Sequence, residues 1–90
     1  MPITDPSTIK AAEIFLDAQN ELRIAGEFED QIYSLRRRSR NYQIPLTKKQ
    51  KTRIQEWSRE ATNHRRKAKT RMAKIVWDPK ENQYRLKPKH

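Results

Sequence analysis

The chain contains no cysteine and a single glycine. Without thiols, neither a disulfide framework nor a thiolate zinc site can form. One glycine, Gly26, cannot build a glycine-rich phosphate loop. No apolar run approaches the roughly 20 residues of a membrane span. The first ten residues, MPITDPSTIK, lack a basic stretch followed by an apolar one, so no signal peptide is read there. A soluble intracellular protein is expected, cytoplasmic or nucleoid-associated, with no membrane partner. Histidine is scarce too. His64 and His90 have no spaced ligand partners, so no metal is expected. His64 falls at the flank of an apolar stripe and reads as a half-packed surface residue. Glu56 and Glu60 stand four apart, a spacing that suits pairing with nearby Lys or Arg better than general acid/base work. No Ser-His-Asp spacing stands out. The chain therefore reads as a non-enzyme, with no catalytic residues and no cofactor.

What is abundant is positive charge. Among 90 residues there are 21 Lys and Arg against 11 Asp and Glu, a net charge of +10. The distribution is uneven: residues 1–35 hold two basic and seven acidic residues, and residues 36–90 hold nineteen basic and four acidic. Solubility asks for a net charge of only about 2–8 in magnitude. The second half exceeds that, which points to a polyanionic partner, while the acidic first half suits protein contacts.

One small domain spanning 1–90 is expected, mainly α-helical. Asp5-Pro6-Ser7-Thr8 is a helix-start signal. Ile9, Ala12, Phe15, Leu16 and Leu22 recur at helical spacing after it, and Gly26 offers a C-cap, which predicts a first helix over about 6–25. Glu13, Asp17 and Glu21 form an acidic stripe on it that reads first as a solvated face. Phe28, Ile32 and Leu35 predict a second helix over about 27–39, closing a helical hairpin over 6–40. That second helix ends in Arg36-Arg37-Arg38-Ser39-Arg40, more cations than a helix dipole needs. Asn41 to Leu46 is a loop, with Pro45 holding Ile44 out of the helical region.

Thr47-Lys48-Lys49-Gln50 matches a capping box. No Gly or Pro follows until after Val76, so one long basic helix over 47–76 is expected, or two with a bend near Thr62-Asn63. With Ala61 set at zero and about 100° per residue, Gln50, Ile54, Trp57, Ala68, Met72 and Ile75 share its line. Lys48, Lys51, Arg59, Arg66, Lys69 and Lys74 fall on the far side, with Arg53, Lys67 and Arg71 on the margins. Trp57 is expected in the core. Asp78-Pro79-Lys80-Glu81-Asn82 has turn chemistry between two short extended runs, which predicts a C-terminal β-hairpin over 76–86. Residues 87–90 read as a mobile basic tail.

These features predict a nucleic-acid-binding protein, for DNA or RNA, acting mainly through phosphate contacts. The expected contacts are Arg36, Arg37, Arg38, Arg40, Lys48, Lys49, Lys51, Arg65, Arg66, Lys69 and Arg71. Tyr42, Trp77 and Tyr84 are candidates for stacking on bases. Asn41, Gln43, Gln50 and Gln55 are candidate base readers if the capped helix enters a major groove. Three helices and a hairpin would resemble the winged-helix layout in outline, with the hairpin as wing; the likeness is one of fold only. The alternative is a small adaptor or inhibitor, phage- or mobile-element-encoded, that binds another protein, a ribonucleoprotein complex or a second copy of itself through an uncovered part of the long apolar stripe.

Overall fold

The computed structural model describes residues 6–88. The start signal at Asp5 and the Lys89-His90 end of the basic tail lie outside the described residues. The elements run in order α1 (Pro6–Tyr42), α2 (Lys48–Met72), β1 (Ile75–Asp78) and β2 (Gln83–Leu86). The fold is mainly helical with one two-stranded antiparallel sheet.

The main departure from expectation is the helix count. The predicted first and second helices are one helix of 37 residues. Gly26 does not cap it: its φ is not positive, and the helix runs straight through. The residues buried on α1 explain why. Ala11, Ala18, Ala25 and Ile32 are buried at intervals of seven, and the series continues across Gly26 without a slip. Ile54, Ala61, Ala68 and Ile75 repeat the interval on the returning segment. A seven-residue period keeps one seam of each helix facing its partner. Burying that seam on both sides of position 26 outweighs the penalty of one mid-helix glycine, about 1 kcal/mol. With a single helix there, the three-helix layout that a winged reader needs is absent.

The two helices form an antiparallel hairpin: Glu29 meets Arg65, Phe28 meets His64, and Glu21 meets His64 and Arg71. Five of the eight seam residues are alanine, so little bulk separates the backbones. No large side chain is fully buried among the described residues. The expected apolar face of the first helix is displaced accordingly. Ile9, Ala12 and Leu16 point outward, Leu16 with 64% of its surface exposed, while the neighbouring alanines pack. Trp57 is only half-buried, with Arg53 lying 5.9 Å above its ring.

The connection is fixed at both ends. α1 stops in a Schellman arrangement: Gln43 takes φ 53°, its N–H reaches Arg40 O (3.4 Å), and Ile44 N–H reaches Ser39 O (3.0 Å). α2 starts on the capping box read from the sequence. Thr47 Oγ1 accepts from Gln50 N (3.1 Å), and Gln50 Oε1 accepts from Thr47 N (2.9 Å).

α2 is one helix, but it ends at Met72, earlier than expected, and Ile75 opens β1 instead of continuing the helix. Ile75 nevertheless keeps its place in the seven-residue series. The β-hairpin pairs Ile75 with Leu86, Val76 with Arg85, Trp77 with Tyr84 and Asp78 with Gln83. Asp78 Oδ1 accepts from Lys80 N (3.0 Å) and Glu81 N (3.3 Å), and Asn82 closes the turn at φ 54°. The hairpin leans on α1 through Tyr84, whose ring stacks on Phe15 at 4.5 Å, with Trp77 edge-on to Tyr84 at 5.0 Å. The molecule is a rod of 57 × 27 × 17 Å.

Candidate nucleic-acid interface

Because α1 and α2 are antiparallel, the end of one and the start of the other meet at the loop. Residues 36–53 hold eight of the 21 cations (Arg36, Arg37, Arg38, Arg40, Lys48, Lys49, Lys51, Arg53) and none of the 11 carboxylates. The loop end thus carries +8 of the net +10, and the rest of the chain is nearly neutral. Arg36, Arg37, Arg38, Arg40, Lys48, Lys49 and Lys51 are all exposed, and none forms an ion pair among the described residues.

The local electrostatics of this end are not those of a stability device. Arginines at the C-terminus of α1 sit well against the negative end of its dipole. Lys48, Lys49 and Lys51 open α2 at its positive end, where the first turn contains no acidic residue. There they oppose the dipole and each other. An anion docked among them would relieve both, and the free N–H groups of a helix start favour the same guest.

The cations expected farther along α2 divide in two. Arg66 and Lys69 are exposed and without an ion pair among the described residues; with Lys48, Lys51 and Arg59 they continue one outer face of α2. They stand about 22 to 27 Å from Lys51 at 1.5 Å per residue. Arg65, which is exposed, and Arg71, which is half-buried, each have a carboxylate partner on α1. Arg65 donates through Nε (3.3 Å) and Nη2 to Glu29, which raises its pKa above the usual guanidinium value, chiefly through those hydrogen bonds. Arg71 is half-buried, Nη2 lying 3.4 Å from Glu21 and Nε buried without a partner. Both arginines flank the seam, Arg65 four residues after Ala61 and Arg71 three after Ala68, so α1 carboxylates are within reach.

Glu21 is drawn well into the helical hairpin, its side chain 13% exposed. It accepts from His64 Nδ1, and that hydrogen bond is the main cause of a pKa held below the usual glutamate range, with Lys67 and Arg71 adding to it. His64, whose ring also stacks on Phe28 at 6.1 Å, is a packing residue of the hairpin. At the other turn, Arg85 holds Asp78 low in the same way (3.0 Å).

The stacking candidates separate by position. Tyr42 is at the loop end and 71% exposed, beside the free cations. Tyr84 is half-buried, stacked on Phe15 and edge-on to Trp77, so its ring is engaged within the fold. Trp77 is 47% exposed, but it belongs to the hairpin docked at Phe15, about 40 Å of helix away from Tyr42. Of the base-reader candidates, the Gln50 side chain is used in the capping box, while Asn41, Gln43 and Gln55 are exposed, Gln43 giving only its backbone to the turn. The sequence reading passed over Tyr33, 60% exposed beside the arginine run. Among the described residues no group of His, Asp or Glu side chains is placed to hold a metal ion, and no helix is long and apolar enough to cross a membrane. No protein-family model matches the sequence, and neither a curated protein nor a solved structure is significantly similar to it.

Proposed function

We propose that the protein binds nucleic acid through phosphate contacts made by the loop end of the helical hairpin. The observation that carries this reading is eight cations gathered without a carboxylate, seven of them exposed and unpaired among the described residues, on a connection locked by a Schellman turn and a capping box. Cations held in fixed geometry meet a charged polymer together and release its condensed counterions together. Arg66 and Lys69 extend the contact along α2. The arrangement reads backbone, not sequence.

The test is a salt titration with duplex DNA, single-stranded DNA and structured RNA. Six to eight phosphate contacts lower affinity by roughly 10³-fold or more between 50 and 200 mM salt. Changing Arg37, Arg38 and Lys49 to Gln should flatten the slope by about 3, near 0.9 per contact, with the melting temperature unchanged. Weak, salt-independent binding by the unaltered protein would overturn the reading.

A second reading, an adaptor that binds another protein, draws on Ile9, Ala12 and Leu16, an exposed apolar row at i, i+3 and i+7 on α1, beside Glu13 and Asp17. Leu16→Lys should abolish such an interaction and leave nucleic-acid binding untouched.

A further inference from the structure

One flank of the alanine seam opens into a groove of about 430 Å³, within the 300–1,000 Å³ usual for small-ligand sites. Its α1 wall is Glu29, Tyr33, Arg36 and Arg40, spaced four, three and four apart and therefore stacked on one face. The α2 wall is low, because small residues stand where α1 offers large ones. The floor is apolar, from Ile32 and Ala61. Thr62 turns its hydroxyl back to Ser58 O (2.9 Å), and the Ser58 hydroxyl has no partner among the described residues. The Arg65–Glu29 pair closes one end.

Three features of this groove match one chemistry. Tyr33 presents an exposed ring that meets no other ring among the described residues. Arg36 and Arg40, one turn apart, carry guanidinium groups with no carboxylate partner among the described residues. A flat apolar face beside two free guanidiniums suits a planar ring joined to a phosphate. Only an unpaired base can offer its face, since a duplex keeps its bases stacked on each other.

We propose that the groove takes one unpaired nucleotide of a single strand, its base against Tyr33 and its phosphate between Arg36 and Arg40. The assignment rests on the phosphate-binding reading above and adds a substrate class to it. The two arginines serve both surfaces, so a strand seated in the groove runs directly onto the cations of the loop end.

The experiment compares a short labelled single strand with a blunt duplex of the same sequence, by anisotropy at one salt concentration and then across a salt series. Tyr33→Leu should weaken the single strand by roughly 5- to 100-fold, the range of one stacked base. It should leave duplex affinity and the salt slope unchanged, because no charge is removed. Tyr33→Phe should restore single-strand binding, which separates ring stacking from any effect of the hydroxyl or of folding. No loss in Tyr33→Leu, or an equal loss on both polymers, overturns the groove assignment. If the Arg37, Arg38 and Lys49 changes still flatten the slope in that case, the phosphate-binding function stands without it. If the unaltered protein binds neither polymer, both fall.

Discussion

Arg65 on α2 gives Nε and Nη2 to the carboxylate of Glu29, reaching across the hairpin between residues 36 positions apart in the chain. The pair neutralises a cation that the sequence places in a run of six Lys and Arg without a carboxylate, residues 64–74. A fully exposed arginine at the loop end has no such partner. Removing each should therefore read differently in a salt titration. Arg37→Gln should lower the slope of log affinity against log salt by about 0.9. Arg65→Gln should lower it by less than half of that. Equal changes would place Arg65 on the polymer despite Glu29.

Acid should loosen the hairpin through Glu21. Its pKa in the folded chain is held below the usual glutamate range, first by the His64 hydrogen bond. A carboxyl with a depressed folded pKa adds stability above its unfolded value, about pH 4.3, and loses it as the pH falls through the folded value. Glu21→Gln should therefore be less stable than the parent at neutral pH and equal to it in strong acid. Melting temperatures followed from pH 7 downward check this; parallel curves would show that Glu21 is not the linked group.

Two backbone positions should accept improvement. An added Cβ at Gly26 meets nothing within 4 Å, and the φ there is helical. Gly26→Ala should raise stability by about 0.5–1 kcal/mol. Gln43 sits at φ 53°, where glycine is at ease. Gln43→Gly should stabilise the loop by up to about 1 kcal/mol, set against the entropy a glycine adds to the unfolded chain. Chemical denaturation of the single and double variants measures both, and additivity is expected because Gly26 lies within α1 and Gln43, 17 residues on, just beyond its end.

The seam should resist enlargement. Ala18 and Ala25 are fully buried between the helices. Ala18→Leu or Ala25→Leu should cost typically 1–3 kcal/mol through overpacking, where a larger apolar residue on an open face would be neutral. Ala12→Leu, on the exposed side of the same helix, is the control. A stable Ala25→Leu variant would mean that the helices are farther apart than the buried alanines imply.

Much of the outline was legible from residues alone. Thr47 and Gln50 announced the start of α2, Asp78 and Asn82 the hairpin turn, and Arg36–Arg40 and Lys48–Lys51 the density of charge at the loop. The misreadings have one cause. Ranking residues by bulk drew the packing face of α1 through Ile9, Phe15, Leu16 and Leu22, and it gave Gly26 the role of a stop. The seam is instead made of alanines, which carry too little hydrophobic signal singly. Only their interval of seven, matched on α2 by Ala61 and Ala68, marks them. The pairing of Arg65 and Arg71 with Glu29 and Glu21 followed from that seam, so it was hidden with it. Tyr33 escaped notice because only the hairpin brings it to the groove that Ser58 also lines.

The narrowness of the rod sets a ruler. A molecule docked by its loop end presents a cross-section of 27 × 17 Å to the polymer. At 3.4 Å per base step, that footprint covers about five to eight steps, according to which width lies along the strand. Crowded side by side, such molecules would stand out from the polymer like bristles. Their outer ends would carry the start of α1 and the β-hairpin, and a coated strand would show its surroundings those surfaces in place of its own phosphates.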